Sequence, residues 1–185
     1  MGKSIINTAL GTLSGGIDKW VYRQVNGRTL ISKRPVFAAD PSEAQRAVQD
    51  RFRAAAVYGN EVMADPARRA VYAAFAAAKK VPLYVAIVTD FLRLPVVDQI
   101  DLAGFHGAVG DPIRVKATDD CGVMGVTVVI RAADETVLEQ GVSTLAAGMW
   151  VYAATMAHPA GTPVSITATA VDRPGNRASK MIMWS

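Results

Sequence analysis

The apolar residues of this chain change their spacing at Pro95, and that change constrains the fold more than any other feature. Between Ala44 and Pro95 they recur every three or four residues, as on the buried face of a helix. After Pro95 they alternate with polar residues, as in a strand that buries one face. The pattern therefore predicts an α+β chain in which a helical part precedes a β-rich part.

Seven alternating segments follow Pro95, and Gly, Pro, Asp and Asn residues separate them. They cover residues 97–103, 113–118, 123–132, 136–141, 150–156, 164–171 and 178–184. Short strands with turn residues at this spacing are typical of an antiparallel β-sandwich, and seven strands in residues 95–185 fit an immunoglobulin-like domain in size. We expect this sandwich to form the C-terminal domain.

A β-hairpin is predicted near the N-terminus, where Asn26-Gly27 separates the β-rich runs 19–25 and 28–34. Asn-Gly favours a two-residue type I′ turn, which places residue 25 opposite 28, 23 opposite 30 and 21 opposite 32. One face then carries most of the basic side chains, and the other carries Trp20, Tyr22 and Ile31. The basic residues form a predicted partner- or nucleic-acid-binding set: Lys19, Arg23, Arg28, Lys33 and Arg34.

Three helices are predicted between the hairpin and Pro95. Asp-Pro pairs at residues 40–41 and 65–66 start the first two, with Asp40 and Glu43 as a capping pair for the first. A Val-Pro pair at residues 81–82 starts the third. In the second helix we expect Val71 and Phe75 to face the core.

These patterns predict three parts: a flexible, Gly-rich arm at residues 1–16, a basic β-hairpin and helical module at 17–94, and the sandwich at 95–185. The charge divides in the same place. Residues 1–95 hold 14 Lys and Arg against 7 Asp and Glu, whereas residues 96–185 hold 6 against 9. A basic front half attracts polyanions such as nucleic acid.

Two segments of the back half resemble bacterial immunoglobulin-like domains of surface and adhesive proteins. In segment 113–130, a strand ends in Ala117-x-Asp119 and a Gly-Val turn leads into a Val-rich strand. In segment 164–177, a late strand ends in an Asp-x-x-Gly-Asn turn. The resemblance covers the C-terminal half and implies a scaffold or spacer. The arm, hairpin and first helix are similar to small bacterial and phage-type structural proteins of unknown role.

An immunoglobulin-like topology would bring the loop after the second strand close to the loop before the last. Acidic and amide side chains in these two loops form a predicted calcium site, because oxygen ligands suit Ca²⁺. Asp and Asn are equally common as turn residues that bond their own backbone. The four residues are Asp119, Asp120, Asp172 and Asn176.

No motif in the sequence predicts an enzyme or a cofactor. Cys121 is the one cysteine and has acidic neighbours, which disfavour a thiolate. His106 and His158 lack nearby Cys or suitably spaced carboxylates. No run is long and apolar enough for a membrane span, and the N-terminus lacks a clear signal peptide. We expect a soluble protein, extracellular or particle-associated.

The expected function is that of a non-enzymatic structural or interaction protein. We expect a self-assembling or particle-associated subunit, such as a component of a surface filament or a phage-like particle, that forms a homo-oligomer or a larger protein assembly. The alternative is a nucleic-acid-binding accessory protein whose basic hairpin contacts phosphates.

Overall fold

The computed structural model describes residues 15–25, 28–36, 40–159 and 161–185, without the side chain of Ile17. Residues 1–14 of the predicted arm and the predicted Asn26-Gly27 turn lie outside the described residues. The described chain is α+β, with antiparallel strands before and after a helical segment, as predicted.

The chain divides into two compact units, residues 1–46 and residues 47–185. From residue 47 onward the helices therefore share a unit with the sandwich, whereas the sequence pattern placed them with the hairpin. The division also separates the charge. Residues 1–46 contain seven Lys and Arg against three Asp and Glu, while residues 47–185 contain thirteen of each. The first unit thus carries the whole net charge of +4.

The first unit contains a three-stranded antiparallel sheet in the order β1-β2-β3. Its strands are β1 (Gly15–Ile17), β2 (Trp20–Val25) and β3 (Arg28–Lys33). The β2–β3 register is the predicted one, with Val21 opposite Ser32 and Arg23 opposite Leu30. The predicted arm extended to residue 16, but Gly15 and Gly16 pair with β2.

The helices are α1 (Glu43–Ala64), α2 (Pro66–Lys79) and α3 (Leu83–Leu92). At the start of α1 the capping pair is Ser42 with Gln45, because each side chain accepts from the backbone N–H of the other. The predicted pair of Asp40 with Glu43 makes no such contact among the described residues. Asp65 caps α2 as predicted, accepting from the backbone of Ala67 at 2.9 Å.

The buried face of α2 is rotated by one residue from the predicted one. Tyr72 is fully buried, whereas Val71 is 45% exposed. Periodicity alone cannot distinguish these two faces, because both align apolar side chains. The two faces differ in a polar contact, because the hydroxyl of Tyr72 donates to the buried carboxylate of Asp90 on α3.

Eight strands form the sandwich in the second unit. They are β4 (Val96–Asp101), β5 (Pro112–Thr118), β6 (Gly125–Ala132), β7 (Val137–Val142), β8 (Thr144–Ala146), β9 (Met149–Ala153), β10 (Val164–Val171) and β11 (Arg177–Trp184). One sheet has the order β4-β5-β9-β8 and the other β11-β10-β6-β7. If the eight strands are lettered A, B, C, C′, D, E, F and G along the chain, the two sheets have the orders A-B-E-D and G-F-C-C′. This is the immunoglobulin-like arrangement, so the predicted sandwich is confirmed.

The sandwich core alternates along its strands and is built from small side chains. Val126, Val128 and Ile130 of β6 face inward beside Ala168 and Ala170 of β10. Trp150 and Trp184 pack at its edge. Within the described residues, no single helix has the length and hydropathy to cross a membrane, and α2 with α3 passes that test only as a pair bent by 97°.

Candidate partner-binding surface and polar clusters

The five predicted binding cations occupy both faces of the N-terminal sheet. Arg23 lies opposite Leu30 and Arg28 opposite Val25, so these two share a face. Lys33 lies opposite Trp20 and therefore joins the aromatic face instead. In the described part of the chain, no ion pair forms between a carboxylate and any of the five. Their role as binding residues stays a prediction.

A groove of about 460 Å³ lies at the end of this sheet. We call it the end groove, and it is lined by Asp18, Lys19, Trp20, Lys33, Arg34, Pro35 and Val36. The backbone N–H of Arg34 donates to Lys19 O at 2.7 Å, which closes the sheet at this end. A Cβ at Gly16 would lie 3.0 Å from Arg34 Nη2, so the guanidinium packs against the bare backbone of β1.

The two loops that carry the predicted calcium site both contact Arg93 at the end of α3, Asp120 through its carboxylate and Asn176 through its Nδ2. Asp172 accepts from the backbone N–H of Asn176 at 2.6 Å and from its Nδ2 at 2.7 Å. Asn176 Nδ2 also donates to the carbonyls of Phe91 and Arg93 at the end of α3. Burial, the largest influence, raises the pKa of Asp172 despite these hydrogen bonds.

The other two residues of that set are engaged as well. Asp120 accepts from Lys79 Nζ at 2.5 Å and from Arg93 Nη1 at 2.6 Å, and the Lys79 contact in particular lowers its pKa. Asp119 accepts from the backbone N–H of Cys121 at 2.8 Å. Among the described residues, no group of three His, Cys, Asp or Glu side chains is arranged to hold a metal ion. Calcium binding stays a prediction from the sequence.

A second polar cluster lies inside the helical layer. Asp90 is 1% exposed and accepts from the Tyr72 hydroxyl at 2.5 Å, and Tyr72 in turn contacts the Tyr58 hydroxyl at 2.9 Å. Burial raises the pKa of Asp90. Burial and the adjacent Asp90 carboxylate also raise the pKa of the Cys121 thiol, which disfavours the nucleophilic thiolate.

A third cluster connects the two sheets of the sandwich. The Glu139 carboxylate on β7 lies 2.8 Å from His158 Nε2, and it accepts from the Tyr152 hydroxyl of β9 at 3.1 Å. The backbone N–H of Thr155 donates to it at 2.7 Å, and the Thr155 hydroxyl donates as well. Burial raises the pKa of Glu139, but the hydrogen bonds together outweigh it and hold the pKa below its usual range.

The Glu139 cluster was not predicted. Glu139 and His158 are 19 residues apart, and neither stands in a motif. Both side chains are 3% exposed, so the pair is closed to a substrate and serves to hold the sheets together. The sequence signal that could have found this cluster is a glutamate inside a predicted strand.

No protein family and no curated protein matches the chain. One solved structure, described as that of an engineered protein, aligns at 22% identity with a TM-score of 0.34. The alignment covers 49% of this chain and 20% of that one. A likeness of this size carries no argument about fold or function.

Proposed function

We propose that the protein is a non-enzymatic structural or interaction protein, a self-assembling or particle-associated subunit whose N-terminal sheet docks on a neighbouring copy. The observation that carries the proposal is the exposure of that sheet. None of its described residues is buried, and Leu30 and Ile31 are each 53% exposed. A small sheet of three strands is marginal in water unless an apolar face of it is buried against another surface.

The outer edge of β3 is the proposed docking edge. β2 pairs with one side of β3, and no described strand pairs with the other. Unpaired edges recruit extended chain by strand addition, which supplies backbone hydrogen bonds without a specific side-chain pattern. Residues 1–14 directly precede β1 in the sequence. We assign this segment, supplied by a neighbouring copy, to the open edge of β3.

The second unit is the proposed scaffold. Its sandwich core and its helices are joined by the Asp120 ion pairs and by the Asn176 hydrogen bonds to α3. Immunoglobulin-like sandwiches host many unrelated functions and commonly act as spacers. The similarity of segments 113–130 and 164–177 to domains of bacterial surface proteins supports the same role.

Sedimentation velocity over a range of concentrations tests this function. The full chain should sediment as species heavier than the 19.6 kDa monomer as concentration rises. Deleting residues 1–14, or replacing Leu30→Asp on β3, should return it to the monomer. The matched control is Val142→Asp, because Val142 is 80% exposed on the sandwich. A monomer at every concentration, or assembly unchanged by the deletion, would contradict the proposal.

A further inference from the structure

We propose that the end groove of the N-terminal sheet binds single-stranded nucleic acid, with a base stacked on Trp20 and the flanking phosphates held by Lys19, Lys33 and Arg34. This inference goes beyond the proposed assembly role and does not depend on it, because it concerns the end of the sheet and not the edge of β3.

The charge of the groove favours an anionic occupant. Lys19, Lys33 and Arg34 line it against a single carboxylate, that of Asp18. Within the described residues none of these three cations has an ion-pair partner. The surrounding unit holds the whole net charge of the chain, whereas the second unit is neutral. A positive field of this kind attracts phosphates and raises the rate of encounter with them.

The aromatic side chain distinguishes a single strand from a duplex. Trp20 is 44% exposed, and the register sets it directly across from Lys33 on the same face. Every unpaired base presents a flat face that stacks on an indole ring, whereas a duplex hides those faces between neighbouring base pairs. A ring beside a cation therefore matches the repeating unit of a single strand, which is one base and one phosphate.

The size and lining of the groove agree with this occupant. Its volume of about 460 Å³ lies in the range of small-molecule sites and accommodates one nucleotide. Pro35 and Val36 add apolar surface beside the indole, and Val36 is 96% exposed. An acidic peptide would satisfy the cations equally well, but its carboxylates offer no flat face to the Trp20 ring.

Fluorescence anisotropy of a labelled oligodeoxythymidine, titrated with the full chain at low salt, tests the inference. Trp20→Ala should weaken binding at least about fivefold, which is the lower end of what one stacked base contributes. Trp20→Phe should retain most of the affinity, because it keeps a ring. Lys33→Gln should weaken binding and make the logarithmic salt dependence shallower by about 0.7.

The matched control for charge is Arg69→Gln, since Arg69 is an exposed cation on α2 of the second unit. It should leave both affinity and salt slope unchanged. Circular dichroism verifies that each variant is folded before its affinity is compared. Four results would overturn the inference: no binding at low salt, wild-type affinity in Trp20→Ala, equal loss in Lys33→Gln and Arg69→Gln, or equal binding of a duplex or a polyglutamate peptide.

Discussion

Glu139 shows how a single buried side chain can tie two sheets together. Its carboxylate is almost completely removed from water, yet it accepts hydrogen bonds from residues on β9 and in the segment between β9 and β10. A buried charge is tolerated when its lone pairs accept hydrogen bonds in this way. Removing one partner leaves a buried polar group without a hydrogen bond, which lowers the stability of the fold. The contribution of Glu139 to stability is therefore measurable.

Replacing Glu139→Gln should lower the free energy of unfolding at pH 7 by about 2 kcal/mol, because hydrogen bonds to a charged group are stronger than those to a neutral amide. Urea denaturation measures the change. The control Glu61→Gln alters an exposed side chain on α1 and should stay within about 0.5 kcal/mol of the wild type. Equal stabilities for the wild type and Glu139→Gln would contradict this role.

The pH dependence follows from the lowered pKa of Glu139. A carboxyl whose pKa is lower in the folded than in the unfolded state stabilises the fold above the unfolded pKa, which is near its ordinary value of 4.5. That contribution is lost as the pH falls through the lower, folded pKa. Below about pH 4.5 the wild type should lose stability more steeply than Glu139→Gln. Parallel profiles from acid titrations of stability would contradict the assignment.

The clusters of individual residues were the least predictable part of the molecule. Alternation along the chain predicts which strand positions face inward, but it does not predict which polar side chains meet there. The contact between Glu139 and His158 depends on the packing of the two sheets, and the contact between Asp90 and Tyr72 depends on the packing of α2 against α3. The loops holding Asp119 and Asn176 were placed together correctly, because an immunoglobulin-like topology fixes which loops share an end.

At the scale of elements, two strands of three residues each, β1 and β8, were missed, while the other strands were predicted. β8 is three residues long, and its sequence Thr144-Leu145-Ala146 is too short to show alternation. The other seven sandwich strands each have five or more residues. The hairpin register was predictable because the turn type fixes it.

The two sheets of the sandwich approach each other closely at Gly141 on β7. A Cβ there would lie 2.6 Å from Tyr152 Cε2, and the Tyr152 ring is held in place by its hydrogen bond to Glu139. Gly141→Ala should therefore destabilise the protein by about 1–3 kcal/mol through overpacking. Gly125→Ala on β6 is the matched control, since no atom lies within 4 Å of its Cβ.

Thermal unfolding separates these two glycine variants. The melting temperature of Gly141→Ala should fall by about 2–12 °C for a chain of this size, while that of Gly125→Ala should not fall. A decrease of equal size in both variants would contradict overpacking against Tyr152 as the cause.

Asn176 links the last loop of the sandwich to the end of α3. Its Nδ2 group donates to the carbonyls of Phe91 and Arg93, which lie at the C-terminal end of the helix and lack intrahelical partners. Asn176→Ala should lower the free energy of unfolding by about 2 kcal/mol, since it leaves these two carbonyls without their side-chain donor and removes the Nδ2 hydrogen bond to Asp172. Asn60→Ala, on the exposed side of α1, should be neutral or slightly stabilising in the same denaturation experiment.

At the scale of the whole molecule, the sequence pattern predicted a boundary at residue 95. The division between the two compact units falls instead between Arg46 and Ala47. The change of periodicity marks where helices give way to strands, but not where contacts end. The contacts that join α2 and α3 to the sandwich, such as Arg93 with Asp120 and Phe91 with Asn176, span 27 and 85 residues. Contacts of that range leave no local pattern in a sequence.

The division into units also refines the interpretation of the charge. The sequence divides +4 into a basic front half and a mildly acidic back half, and the structure concentrates all of it on the first 46 residues. The same residues form a sheet with no buried position among those described. The part of the chain in which no described residue of the sheet is buried is therefore also the part that carries the net positive charge.

Hydrogen–deuterium exchange of β3 tests the central claim, that this sheet is completed by a neighbouring copy. In dilute solution the amides of Arg28–Lys33 on the unpaired side should exchange rapidly, and in concentrated solution they should become protected. The amides of β6, which is paired on both sides, should exchange equally slowly at both concentrations. Exchange of β3 that is the same in dilute and concentrated solution would contradict the account.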